Sequence, residues 1–209
     1  GPGSEYLDFA GKAVLLRSTG GPEVTTLTSW DYCIRFMSGE GPGSVLDGFT
    51  VSLAYSPLYG GIQCTNGSSP TLRNLVFTEN STGLSLDEAA SPTVTNCRFT
   101  GNSNYSGAGL RCGGGSAPTL VGCEFDGNSA FAGAAVYTYY SSPHFLDCSF
   151  RQNGVSAGWV DEGSYWSDGL GGAVFARAGA GSFEDCLFYN NGASSDYGYP
   201  GNGGACYLT

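Results

Sequence analysis

The chain has 209 residues, of which 41% are hydrophobic and 12% are charged, and its formal net charge is −10. This length and hydrophobic content suit one domain with a sizeable core and exclude a disordered chain. The acidic balance argues against nucleic acid and anionic membranes as partners, because both repel a negatively charged surface. No apolar run approaches the roughly 20 residues of a membrane span, so we expect no direct membrane insertion.

The two ends of the chain have distinct sequence features. Residues 1–4 read GPGS, which resembles the scar left when a protease removes an expression tag. The last repeat, at residues 203–209, stops partway through its pattern. We therefore assign residues 5–209 to a single domain and expect it to be a fragment of a longer protein.

The N-terminal quarter carries a degenerate form of a repeat that becomes clear further along the chain. Residues 12–18 and 23–27 have the short apolar patterns of strands and predict one coil. Residues 32–36, YCIRF, predict the first strand of the next coil, and residues 44–51, SVLDGFTV, predict the remainder of that coil.

The phrase SPTLRNLVFTEN at residues 69–80 organises the rest of the chain. Related phrases follow at residues 91–102, 117–128, 142–153 and 180–191. Units of mostly 22 to 26 residues, without helical periodicity, are typical of three short strands and their turns stacked in a solenoid. We predict an all-β fold, a right-handed single-stranded parallel β-helix of about six to seven coils, because parallel crossovers are almost always right-handed.

The aligned copies place similar residues above one another, as a parallel stack requires. The inward columns include Phe77, Phe99, Phe125, Phe150 and Phe188, and also Cys97, Cys123, Cys148 and Cys186. An asparagine column, Asn80, Asn102, Asn128, Asn153 and Asn191, is expected to form a hydrogen-bonded ladder. A sharp left-handed corner is expected at Asn74, Asn96, Gly122, Asp147 and Asp185. Because buried cysteine packs as a small hydrophobe, we expect free thiols rather than disulfides.

Two short motifs recur within these units. GGA followed by an apolar residue occurs at 171–174 and 203–206, and FxxN occurs at 77–80, 99–102, 125–128, 150–153 and 188–191. The units resemble the right-handed parallel β-helix of the pectin-lyase-like superfamily, and the two motifs resemble the repeats of chlamydial polymorphic membrane protein passengers. The resemblance covers roughly residues 60–208. It implies an adhesin at an extracellular or cell-surface location.

The outer face of the first strand is where enzymes of the pectin-lyase-like fold place their acids and bases, so the resemblance directs attention to it. In this chain the predicted outer residues are Arg35, Gln63, Ser85, Arg111, Tyr137, Phe175 and Tyr207, and none is a carboxylate. Glycoside hydrolysis needs two carboxyl groups, and calcium sites need clustered carboxylates. We therefore assign no catalytic residue, metal site or cofactor, and the acids left for an enzyme are loop residues Asp161, Glu162, Asp168 and Asp196.

A binding site is suggested by two long segments on one edge, residues 154–170 and 192–202. Ordering such segments is costly unless they pack or bind. The candidate ligand-binding residues are Arg111, Tyr137, Trp159, Tyr165, Trp166, Phe175, Tyr197, Tyr199 and Tyr207. The alternative interpretation is that these aromatic side chains fold back and cover the solenoid.

Two functions remain open from the sequence. The first is a non-catalytic extracellular or cell-surface β-helix that acts in adhesion or as a structural spacer. The second is a carbohydrate-binding or carbohydrate-active module, lyase-like or hydrolase-like, with its site under the 154–170 and 192–202 segments. A glycan or a cell-surface protein is the partner expected in these two cases.

Overall fold

The computed structural model describes residues 6–55, 60–156, 158–160, 165–167, 169–194 and 202–209, with backbone only for 158–160 and 165–167. Within these ranges all regular elements are β-strands of two to four residues. The part of the chain so described contains no helix long and apolar enough to cross a membrane. The predicted all-β class is confirmed.

Three parallel sheets form the walls of a solenoid, and each coil adds one strand to each sheet. The first sheet has eight strands: Leu7–Asp8, Ile34–Phe36, Ile62–Cys64, Leu84–Leu86, Leu110–Cys112, Val136–Tyr139, Val174–Arg177 and Cys206–Leu208. The second has seven: Leu15–Arg17, Val45–Asp47, Thr71–Arg73, Thr93–Thr95, Thr119–Val121, His144–Leu146 and Ser182–Glu184. The third also has seven: Thr26–Thr28, Thr50–Ser52, Val76–Thr78, Arg98–Thr100, Glu124–Asp126, Ser149–Arg151 and Leu187–Tyr189. The predicted parallel β-helix is thereby confirmed.

The phenylalanine column shows how closely the coils align. The third sheet pairs the five residues of this column in register: Phe77, Phe99, Phe125, Phe150 and Phe188. Successive ring centroids lie 4.5, 4.5, 5.0 and 4.6 Å apart, with interplanar angles of 3°, 4°, 9° and 8°. Because neighbouring parallel strands are about 4.8 Å apart, the same ring in each coil stacks on the one below it.

The asparagine ladder joins the coils beside this stack. Asn102 shows the pattern: its Nδ2 donates to Asn128 Oδ1 at 3.0 Å and to Phe77 O at 3.0 Å, and its backbone N donates to Asn128 Oδ1 at 3.2 Å. Asn80, Asn128 and Asn153 make the corresponding bonds. The ladder therefore adds side-chain partners for buried carbonyl and amide groups in and just after each third strand, and the prediction of a ladder is confirmed.

Left-handed backbone occurs at several turns of the solenoid, and two of these corners flank the third strand of each coil from Val76–Thr78 onward. The predicted corner is confirmed, with φ values of 53°, 51°, 61°, 52° and 51° at Asn74, Asn96, Gly122, Asp147 and Asp185. A second left-handed corner, which the sequence analysis missed, lies just before each ladder asparagine, at Glu79, Gly101, Gly127, Gln152 and Asn190. This second corner turns the chain so that the asparagine side chain points inward.

The segments expected to be long loops begin as strands. Gly154–Ser156 and Gly192–Ser194 form a small fourth sheet with Ser129–Ala130. Val155 packs there on a satellite core of Ala108, Ala130 and Ala134. Further along, Gly158–Val160 and Tyr165–Ser167 pair as an antiparallel hairpin. The sequence analysis described these segments as long loops and did not predict their strands, because small residues such as glycine and alanine give little strand signal.

All eight cysteines are free, and six of them are fully buried. In the cysteine column each thiol donates to a carbonyl of the preceding coil: Cys97 to Leu72, Cys123 to Val94, Cys148 to Leu120 and Cys186 to Phe145, at 3.6–3.7 Å. The cysteine column is therefore a packing feature with weak hydrogen bonds. Outside the column, burial raises the pKa of Cys33 to about 11 and that of Cys112 to about 12.

Candidate functional site

The outer face of the first sheet carries one side chain per coil in a continuous line, here called the outer-face column. In chain order it consists of Asp8, Arg35, Gln63, Ser85, Arg111, Tyr137, Phe175 and Tyr207. The prediction that this face lacks a carboxylate was wrong. The strand Leu7–Asp8 adds Asp8 to its N-terminal end, and the degenerate N-terminal sequence does not reveal that strand.

The N-terminal half of the column is closed by internal contacts. The Arg35 guanidinium lies over the rings of Tyr6 and Tyr32, 5.1 and 4.6 Å from their centroids. Arg35 Nε also donates to Gln63 Oε1 at 2.9 Å. Gln63 and Ser85 are only 4% and 2% exposed. This half of the face therefore exposes few polar or charged groups that lack an internal partner.

The C-terminal half brings together three of the predicted site residues, Tyr137, Phe175 and Tyr207. Their ring centroids are 5.2 and 5.8 Å apart, and the planes differ by 9° and 13°. The ring faces contact one another, so the edges and the tyrosine hydroxyls point outward, and Phe175 is buried. Burial raises the pKa of the Tyr137 hydroxyl, although Arg111 and Arg177 act in the opposite direction.

A groove of about 570 Å³, here called the tyrosine groove, opens beside this stack. Its functional side chains are Asp87, Arg111, Tyr137, Tyr139, Tyr140 and Arg177. Tyr139 and Tyr140 contact each other edge to face at 4.4 Å, and the Arg177 guanidinium lies 5.7 Å from the Tyr139 ring centroid. Both rings are exposed.

Tyr139, Tyr140 and Arg177 were missed in the sequence analysis. The signal for two of them was present, since Tyr139 and Arg177 lie two residues beyond Tyr137 and Phe175 in the same strands. Strand alternation places residues two apart on the same face. These two strands have four residues rather than three, and that extra length could not be predicted.

A second groove, of about 500 Å³, lies on the N-terminal side and shares Asp87 and Arg111 with the tyrosine groove. It also contains Glu88. Both carboxylates hold turns: Asp87 Oδ1 accepts from Glu88 N at 2.9 Å, and Glu88 Oε2 accepts from Asn66 N at 3.2 Å. Arg111 therefore lies between two grooves on the outer face of the first sheet.

The arginines of the chain divide into two groups. On the second and third sheets, Arg17 and Arg73 pair with Asp47 at 2.7 and 3.1 Å, and Arg98 and Arg151 pair with Glu124 at 3.4 and 3.5 Å. On the outer face of the first sheet, Arg35, Arg111 and Arg177 have no carboxylate within 4.0 Å among the residues that the structure describes. Positive charge without a neutralising partner is therefore concentrated on this face.

The remaining predicted residues cannot be placed in the site. Trp159, Tyr165 and Trp166 belong to the hairpin, but their side chains lie outside the described part of the structure. Tyr197 and Tyr199, and the loop acids Asp161, Glu162, Asp168 and Asp196, also lie outside the described residues. No group of three or more His, Cys, Asp or Glu residues suited to hold a metal ion occurs in the described ranges.

Comparison with known proteins gave two family matches. A family model described as "Right handed beta helix region" matches residues 26–169, which is more than half of the chain. A model of the Chlamydia polymorphic membrane protein repeat matches residues 185–209 and implies a surface-exposed, passenger-like domain of a bacterial protein. Neither a search of curated proteins nor a search of solved structures found a match. The chain therefore belongs to the right-handed β-helix family and carries repeats like those of polymorphic membrane proteins.

Proposed function

We propose that this β-helix acts in adhesion, as a non-catalytic surface domain that contacts its ligand through the tyrosine groove. The observation that carries the proposal is the composition of that groove, in which three tyrosines and two arginines gather on one face of an acidic chain. Tyrosine and arginine are enriched in the energetically important positions of protein interfaces. The tyrosines and arginines of the groove lie on the outer face of the first sheet, whereas the core lies on its inner face.

The solenoid holds these side chains as a fixed pattern. Arg111, Tyr137 and Phe175 come from three successive coils that are paired in register. Backbone bonds between coils, such as Val136 N to Ala173 O at 2.9 Å, fix the spacing of the strands. A preorganised surface loses little conformational entropy on binding, which favours a role as a scaffold for contact.

The distribution of carboxylates supports binding rather than hydrolysis. Within the described outer-face column the one carboxylate is Asp8, five strands from Tyr137. Asp87 and Glu88, which lie beside the column, each accept a backbone N–H and so stabilise turns. A glycosidase needs two carboxyl groups placed on either side of one bond, and this arrangement does not supply them.

Carbohydrate binding is the weaker of the two functions. A sugar ring that stacks on an aromatic side chain needs an exposed ring face. In the Tyr137, Phe175 and Tyr207 stack, the faces are turned toward one another. Protein contact through ring edges and hydroxyl groups suits this geometry better.

Adhesion can be measured with beads coated with the protein and applied to a panel of bacterial and animal cells. The double variant Tyr139→Ala/Tyr140→Ala removes two tyrosines of the groove that are 39% and 59% exposed. Tyr105→Ala/Tyr189→Ala is the matched control, because it removes two tyrosines that are 56% and 59% exposed on other surfaces. We expect the groove variant to lose most bead attachment and the control to keep it.

Equal attachment by both variants and the parent would place the contact elsewhere and contradict the proposal. Failure of the parent protein to attach to any cell type would also contradict it and favour a spacer role. Circular dichroism and thermal unfolding of each variant confirm that the fold is retained before the comparison is made.

A further inference from the structure

Arg111 is unusual because the residue is partly buried, while its guanidinium has no hydrogen bond, ion pair or ring contact among the described residues. In contrast, Arg35 in the same column bonds Gln63, and its guanidinium lies over the rings of two tyrosines. Arg177, on the far side of the tyrosine groove, has its guanidinium 5.7 Å from the ring centroid of Tyr139 and no ion pair with any residue that the structure describes. A guanidinium presents five donors, and it is most strongly satisfied by a carboxylate or another oxyanion.

The register of the strands fixes how far apart these two cations are. Arg111 aligns with Tyr137 and Phe175, whereas Arg177 lies two coils away and two residues further along its strand. With a spacing of about 4.8 Å between strands and a rise of about 3.3 Å per residue, their Cα atoms are roughly 12 Å apart. In an extended peptide, side chains four residues apart lie on the same side and are about 13 Å from each other.

The surface between the two cations suits a peptide. Tyr137, Tyr139 and Tyr140 line it and offer hydroxyl groups, which both donate and accept hydrogen bonds. An extended peptide backbone carries both N–H and C=O groups along its length. The stacked ring faces of the neighbouring Phe175 are not available to a sugar.

The charges of the tyrosine groove also favour an acidic peptide. The chain has a net charge of −10, so an acidic ligand is repelled by most of its surface. The tyrosine groove is an exception, because its described lining holds Arg111 and Arg177 against one carboxylate, Asp87. Asp87 accepts a hydrogen bond from Glu88 N and does not pair with Arg111.

We propose that the tyrosine groove binds an extended acidic segment of a partner protein, in which two carboxylates four residues apart pair with Arg111 and Arg177. The inference rests on the proposed adhesive function and adds the chemical class of the partner. The backbone of the segment crosses the groove over the three tyrosines. Affinity falls as salt is added, because the two ion pairs are at the surface.

The test is selection of random twelve-residue peptides displayed on phage against the intact protein, followed by affinity measurement on the selected peptides. We expect enrichment of Asp or Glu at positions four apart. In Arg111→Gln/Arg177→Gln the affinity for these peptides should fall about tenfold or more, since each lost ion pair weakens binding. The matched control Arg98→Gln/Arg151→Gln removes the same two charges from the third sheet and should keep the affinity within about twofold.

Several results would overturn the inference. They are the absence of any selected peptide, selected peptides without paired acids, and an equal loss of affinity in both double variants. The same proteins are applied to an array of carboxylated and sulfated glycans. Glycan binding that needs Arg111 and Arg177, without peptide selection, would assign the groove to acidic glycans instead. If beads attach to cells through Tyr139 and Tyr140 but no acidic peptide is selected, the adhesive function stands and this inference fails.

Discussion

The inner and outer faces of the first sheet are built from the same strands in the same register, yet their side chains differ in pattern. The inner face repeats compact apolar residues: Ile34, Ile62, Leu84, Leu110, Val136, Val174 and Cys206. The outer face changes chemistry from one coil to the next, for example from Ser85 to Arg111 to Tyr137. The fold thus constrains one side of each strand much more than the other.

The physical reason is packing. An inward side chain is surrounded by the coils above and below and by the two other sheets, so its volume is fixed at native packing density. An outward side chain has lateral neighbours but no opposing sheet, so its volume is constrained on fewer sides even where it is buried, as at Gln63 and Ser85. Core positions should therefore respond strongly to substitution, ladder positions somewhat less, and outer-face positions least.

Removing the central ring of the phenylalanine stack should have the largest effect. Phe125 is fully buried between Phe99 and Phe150. We expect Phe125→Ala to lower the free energy of unfolding by about 3–5 kcal/mol, because it opens a cavity that the rigid coils cannot fill. Urea denaturation measures this, and Tyr189→Ala, at an exposed position, should change stability by less than about 0.5 kcal/mol. A loss below about 1 kcal/mol at Phe125 would show that the coils collapse into the cavity.

Breaking the asparagine ladder should have the next largest effect. In Asn128→Ala, the Asn102 amide and Phe99 O lose their side-chain partners while remaining buried. Unsatisfied buried groups cost about 1–3 kcal/mol each, and partial solvation limits the sum, so we expect a loss of about 2–4 kcal/mol. The control is Asn104→Ala, which removes a partly buried bond to Thr82 Oγ1 and an exposed bond from Tyr105 N, and it should cost about 1 kcal/mol. Equal losses at the two positions would mean that the ladder has no special role.

The smallest of the three effects is expected on the outer face. Tyr137→Thr keeps a residue that favours strands but removes the stacking contact with Phe175. We expect a loss of about 1 kcal/mol in the free energy of unfolding, the size of an aromatic pair at a half-buried site. A loss as large as that at Phe125 would show that the Tyr137 stack is a second core, and the distinction between the two faces would then fail.

The features predictable from the sequence are those that repeat. Each ladder asparagine follows a phenylalanine at a fixed spacing, and Asn74 and Asn96 stand at the corner where glycine replaces them in a later coil. A parallel stack places equivalent positions above one another, so repetition reports spatial contact directly. This is why the sheets, the ladder and the first corner could all be predicted.

Of the features that escaped prediction, the second left-handed corner repeats in each coil, whereas those on the outer face occur once. Asp8 extends the outer face through a two-residue strand that matches no repeat. The tyrosine groove depends on two strands being one residue longer than the others, and on which arginines lack an acidic neighbour. Which arginines lack an acidic neighbour depends on distances between side chains. Arg73 and Arg111 both stand in strands of the repeat, yet Arg73 pairs with Asp47 and Arg111 does not.

The buried cysteines have a consequence for folding in oxidising surroundings. Only the thiolate reacts with disulfides and oxidants, and burial raises the pKa of Cys33 and Cys112 so far that little thiolate exists at neutral pH. Six of the eight thiols are also buried in the folded solenoid, which keeps oxidants and disulfides away from them. The unfolded chain has no such protection, since all eight thiols then titrate normally and can pair at random. Where the chain folds in oxidising surroundings, the coils must close before the thiols are oxidised.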